Sequence, residues 1–182
     1  MKIVQRWPED EMQKCLSYSW MDPEVLAMKK TFMKRAIELA LNNVTSHAGG
    51  PFGAVIVKDE NIISEGTNLV TSSCDPTAHA EILAIRKACQ KLNTFNLSGC
   101  DIYTSCEPCP MCLAGIYWAR LERLFYAGSR NDAAQNGFDD DFFYKELNKP
   151  QAQRHIPIEQ FMRNEAQSAF EAWRNSDKKI AY

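Results

Sequence analysis

The segments His79-Ala80-Glu81 and Pro108-Cys109-Pro110-Met111-Cys112 constrain the fold of this chain more than any other feature, because they have to meet. A histidine nitrogen and two thiolates suit borderline-soft Zn²⁺. Three protein ligands, His79, Cys109 and Cys112, leave the fourth tetrahedral position for water. Glu81 is not a ligand in this scheme. Two residues past the histidine, it stands where a carboxylate can carry protons between that water and a substrate. The fold must therefore bring two distant chain segments to one point and keep one side of that point open.

A competing arrangement uses the same cysteines. Cys106 precedes Cys109 by one turn's spacing, so Cys106, Cys109 and Cys112 form a C-x-x-C-x-x-C run that closes a structural zinc site. That arrangement gives Glu81 no role. Seven cysteines, an odd number without even spacing, do not make the disulfide frame of a small secreted domain. Cys15, Cys74, Cys89 and Cys100 read as ordinary small apolar or surface residues. The leading residues lack the apolar run of a signal peptide, and no stretch is long and apolar enough to span a membrane. A cytoplasmic metalloenzyme is the expectation.

Charge narrows the partners. The 21 basic and 23 acidic residues give a net charge of −2, with a pI near 5.9. A protein that docks tRNA or single-stranded DNA needs a basic face to neutralise phosphates. The run Asp139-Asp140-Asp141 opposes one, and Lys29-Lys30 with Lys34-Arg35 reads as a solvated helix face. A small neutral substrate is expected, with no nucleic acid and no membrane.

The chain of 182 residues, 45% hydrophobic, is expected to bury a single core. Residues 1–25 read as a polar N-terminal extension whose role the sequence does not give, and residues 26–182 as one catalytic domain. Apolar periodicity predicts a helix from about Pro23 to Val44, ended by Gly49-Gly50-Pro51. Phe52–Val57 and Ile62–Gly66 read as strands around Lys58–Asn61. A helix follows over Ala78–Lys91, then a strand at Asp101–Thr104, a helix over Pro110–Ala119 and a strand at Glu122–Ala127. This order predicts one α/β domain with helices on both faces of a sheet. His79 would lie in the first turn of one helix, while Cys109 and Cys112 straddle the start of the next. Two positive helix ends would then favour thiolate and hydroxide at one metal.

Three stretches carry a resemblance: Pro51–Lys58, Asp75–Glu81 and Tyr103–Cys112. They resemble the cytidine deaminase superfamily of zinc-dependent enzymes. The likeness runs on through Ile116-Tyr117-Trp118-Ala119-Arg120, Asn136-Gly137-Phe138-Asp139-Asp140, Phe143-Tyr144-Lys145-Glu146 and Ala172-Trp173-Arg174-Asn175. It covers about residues 30 to 182 and leaves the N-terminal extension unmatched. From Gly137 onward it is similar to the branch that acts on guanine.

The resemblance implies a three-layer α/β/α sandwich with a mixed five-stranded sheet. It also implies a homodimer in which the C-terminal segment, about residues 150–182, crosses to the partner, with Tyr182 closing the pocket. One zinc per subunit, held by His79, Cys109 and Cys112, and Glu81 as proton carrier imply hydrolytic deamination of guanine to xanthine and ammonia. Around the base the resemblance places Phe52, Asn68, Ala80, Trp118, Asp140 and Tyr182. The Asp140 carboxylate suits the N–H donors of guanine, Asn68 offers both donor and acceptor, and Phe52 and Trp118 bracket the ring. Open alternatives are a deaminase of another free base or a triazine (cytosine, ammeline), a tRNA adenosine deaminase, and a non-catalytic zinc module.

Overall fold

The computed structural model describes residues 22–138 and 140–181. The N-terminal extension up to Met21, Asp139 and Tyr182, the expected lid residue, lie outside the described residues. Helix α1 (Pro23–Thr45) begins at Asp22, whose Oδ1 accepts the Glu24 N–H at 2.8 Å, and proline occupies its first position. A hairpin follows. Strands β1 (Gly53–Lys58) and β2 (Asn61–Thr67) turn through Asp59 and Glu60, both at positive φ, so the turn is tighter than the four residues expected.

A short helix α2 (Val70–Ser73) leads to α3 (Ala80–Leu92), β3 (Cys100–Cys106), α4 (Pro110–Trp118) and β4 (Arg123–Gly128). The chain ends in α5 (Arg130–Gln135), α6 (Asp141–Asn148), a 3₁₀ turn (Gln151–Gln153) and α7 (Arg163–Asn175). The sheet order is β2-β1-β3-β4, with β1 antiparallel to both neighbours and β3 parallel to β4 through the α4 crossover. This is the mixed α/β/α sandwich expected, with one difference. Four strands are present among the described residues, not five. Ser129 directly after β4 caps α5, with reciprocal bonds to Asp132, and turns the chain into helix. The later apolar run Ile156-Pro157-Ile158 carries a proline, which lacks a ladder donor, and it is not in a strand.

Alternation along β1 explains the layers. Val55 and Val57 join Phe32, Ala36 and Tyr103 under α1, while Ala54 and Ile56 join Ala80, Ala84, Ile102 and Ile116 under α3 and α4. Gly66 lets α3 lie directly on β2, because a Cβ there would stand 2.0 Å from the Ala80 carbonyl oxygen. That close approach fixes where α3 starts. The start of β1 and the ends of β2 and β3 meet at one edge of the sheet, so Phe52, Asn68 and the loop after Cys106 arrive together. No helix among the described residues is long and apolar enough to cross a membrane.

Candidate metal centre and substrate cavity

His79 is the N-cap of α3, in extended backbone, and not a residue of its first turn. The cause is local. Asp75 Oδ1 accepts both the N–H and the hydroxyl of Thr77, at 2.8 and 2.7 Å, and this Asx turn keeps the chain out of helix until Ala80. Cys109 is likewise the N-cap of α4, with Pro110 next and Cys112 inside the first turn. His79 makes no side-chain cap bond to α3, and the Cys109 thiol is bonded by Cys112 of α4 and by His79. The two cap side chains therefore meet at one point.

His79 Nδ1 lies 3.6 Å from Cys109 Sγ and 3.5 Å from Cys112 Sγ. The ligand atoms of all three residues lie within 4.8 Å of one another. A tetrahedral ion with bonds of about 2.0–2.3 Å separates its ligands by about 3.6 Å, so the donor set fits zinc in both chemistry and span. Hydrogen bonds from Cys112 and His79 hold Cys109 down to about 4, while donation to Cys109 and burial hold the Cys112 proton in place. His79 is raised by its bond to Cys109.

Cys106 does not join them. Its thiol donates to the Ser129 carbonyl at 3.5 Å, and burial pushes it up to about 11, which keeps it protonated. Among the described residues the clustered ligands are three, as an open catalytic site requires. Glu81, on the first turn of α3, is buried and 8% exposed. Burial raises its carboxyl above the ordinary range, and it is hydrogen-bonded to the Cys112 thiol.

A cavity of about 560 Å³ opens over the cluster, and His79, Glu81, Cys109, Phe52, Asn68 and Asp140 all line it. Phe52 meets Phe138 edge to face, with ring centroids 4.8 Å apart. Asn68 Oδ1 accepts the Val70 N–H at 3.3 Å, which leaves its Nδ2 donors for a ligand. Two residues expected at the wall, Ala80 and Trp118, do not line this cavity within one chain. The Ala80 side chain is packed in the core. Trp118 is 65% exposed and lines a separate hollow with Phe170 and Trp173. The reason is geometric: Trp118 ends α4, whose first residue adjoins Cys109, so the length of the helix separates the ring from the ligands.

Glu107 and Phe138 are wall residues that the sequence did not disclose. Glu107 Oε2 accepts the Arg130 N–H at 3.0 Å, and its own N–H donates to the Gly128 carbonyl at 2.8 Å. It thereby ties the cysteine loop to the start of α5. The only signal for it was a carboxylate wedged between Cys106 and Pro108. Tyr144 supports the same loop, its hydroxyl donating to the Pro108 carbonyl at 3.1 Å.

The cytidine and deoxycytidylate deaminase zinc-binding region matches residues 27–128. The chain belongs to this deaminase family. It is 58% identical to guanine deaminase of Bacillus subtilis over 153 residues, 84% of this chain and 98% of that protein. The crystal structure of that enzyme superposes with a TM-score of 0.82 over the same shares. A guanine deaminase structure from Nitrosomonas europaea matches at 35% identity and a TM-score of 0.56, over 60% of this chain and 63% of that one. A tRNA-specific adenosine deaminase of Aquifex aeolicus is 42% identical over 54% of this chain and 65% of its own length. The zinc-binding region of the deaminase family includes His79, Glu81, Cys109 and Cys112 in this chain.

Proposed function

We propose that the chain hydrolyses guanine to xanthine and ammonia. The observation that carries this reading is the pairing of an acceptor-only carboxylate, Asp140, with the Asn68 amide on the wall that also holds His79 and Glu81. Guanine presents N–H donors and ring acceptors together, and the pair answers both. The similarity to guanine deaminases over most of the chain supports it.

Zinc held by His79, Cys109 and Cys112 supplies Lewis acidity and a water of lowered pKa. Glu81 takes one proton of the attacking water and delivers it to ring N3, then moves the proton of the resulting C2 hydroxyl to the departing amine, which leaves as ammonia. Its raised affinity for a proton, a consequence of burial, matches that carrier role. Phe52 offers a face for the purine, and Phe138 braces it from the edge. Asp140 holds the base by its N–H groups, and Asn68 donates to a ring acceptor.

The test is a panel of guanine, adenine, cytosine and ammeline, with ammonia and product assayed. Guanine turned into xanthine with adenine inert is the expected result. Deamination of tRNA or of a pyrimidine alone would keep the metal centre and refute the substrate.

The active unit on this reading is a homodimer, working in the cytoplasm. Helices α6 and α7 bury no residue within one chain, and Phe161, Phe170 and Ile180 are 82%, 62% and 66% exposed. A second copy that accepts the C-terminal segment would cover them. The six described cysteines are free thiols, which suits a reducing compartment. Light scattering should give twice the chain mass. Removal of residues 180–182, which takes away Ile180 and Tyr182, should lower kcat/KM by roughly tenfold, one good contact's worth, without moving the thermal midpoint. Unchanged kinetics would remove the lid role of Tyr182.

A further inference from the structure

Asn43 stands outside the cavity, in the last turn of α1, 5% exposed. A polar residue so buried has to spend its hydrogen bonds on something. Its Nδ2 donates to the Gly50 carbonyl at 2.8 Å and to the Asn68 carbonyl at 2.7 Å, which uses both of its N–H groups. Its main-chain carbonyl accepts the Ala48 N–H at 3.0 Å. One residue thus fastens the loop after α1 to the chain leaving β2.

Those two carbonyls are the backbone of the base-contacting wall. The Gly50 carbonyl also accepts the Phe52 N–H at 2.8 Å, and the Phe52 carbonyl accepts the Asn68 N–H at 3.1 Å. Asn43, Gly50, Phe52 and Asn68 therefore form a closed ring of hydrogen bonds. Gly49 lies flat on it: a Cβ there would stand 2.0 Å from the Asn68 carbonyl oxygen and 3.0 Å from Asn43 Nδ2. No side chain fits between the loop and Asn68, so the loop cannot move without carrying Asn68 with it.

We infer that Asn43 is a positioning residue for substrate: by pinning the Gly50 and Asn68 carbonyls, it sets the height and angle at which the Asn68 amide meets the base. The inference rests on the reading of this cavity as the base site. Asn43 touches neither the metal ligands nor Glu81, so its loss should weaken the grip on the base and leave the chemistry in place. Alanine removes both donors and leaves two inward-facing carbonyls. Serine retains one short donor.

The experiment compares zinc-loaded wild type, Asn43→Ala, Asn43→Ser, Asn68→Ala and the Asn43→Ala/Asn68→Ala double variant. Each is assayed for kcat and KM on whichever base of the panel the wild type turns over, so failure of the guanine reading shows in the wild type alone. Asn43→Ala should raise KM roughly tenfold, with kcat within about threefold and zinc at wild-type stoichiometry. Asn43→Ser should fall between, and it replaces the alanine variant in every comparison if the latter does not fold. Within the Asn68→Ala background the Asn43 substitution should no longer move KM, because it acts through the side chain already removed. A lower thermal midpoint with KM unchanged overturns the inference. So does a fall in kcat alone, or an Asn43 effect that persists undiminished without the Asn68 amide.

Discussion

Glu81→Gln is expected to keep one zinc per chain and lose about 10²–10⁴-fold in kcat, the usual worth of a positioned acid-base group. The substitution preserves size and hydrogen-bonding reach, and glutamine cannot accept and return a proton. Two features of the site make this the largest single-residue effect outside the ligand set. Glu81 is buried against the Cys112 thiol, 8% exposed, so bulk water has little access to replace it. Burial also raises its carboxyl's affinity for a proton, which brings it closer to the range where uptake and release are both easy. KM should change little, because the contacts proposed for the base are those of Phe52, Asn68 and Asp140, which line the cavity beside Glu81. Stability should be unchanged or slightly higher, since a buried ionisable group is exchanged for a neutral one. Near-wild-type turnover with zinc retained would remove Glu81 from the proton path.

What the chain disclosed in advance was what local chemistry dictates. Pro23 and Pro110 carry the fixed φ that suits a helix's first position, and both expected helices begin there. His79 stands one residue outside the helix that periodicity predicts for it, because periodicity carries no signal of the Asx turn at Asp75 that delays α3. The fifth strand came from likeness to other proteins and not from periodicity, which marks four segments. The remaining gaps are long-range. Phe138 reaches the cavity only because Glu107 ties the cysteine loop to α5 and the chain reverses at Gly137, with φ +88°. Asn43 belongs to no motif in the sequence; only the fold places two carbonyls against it. Trp118 shows the converse, an aromatic beside the ligand helix that its own chain does not turn toward the cavity.

Removal of a metal ligand is expected to abolish turnover, and the four cysteine and histidine variants should separate open from closed site. His79→Ala, Cys109→Ala and Cys112→Ala each leave two donors, too few to hold zinc against a competing chelator, so zinc content and activity should both fall to background. Cys106→Ala should retain stoichiometric zinc and wild-type turnover, because that thiol stays protonated and donates to the Ser129 carbonyl. Loss of zinc from Cys106→Ala would instead mean a closed structural site and would leave Glu81 without a water to act on. Chelation of the intact protein is expected to be reversible. The two faces of the sheet carry separate apolar clusters that do not depend on the ion. The apoprotein should therefore keep its secondary structure by circular dichroism, melt at a lower temperature, and regain full activity on one equivalent of zinc. Unfolding on chelation would make the metal a folding element as well, as in small zinc domains that have no such core to fall back on.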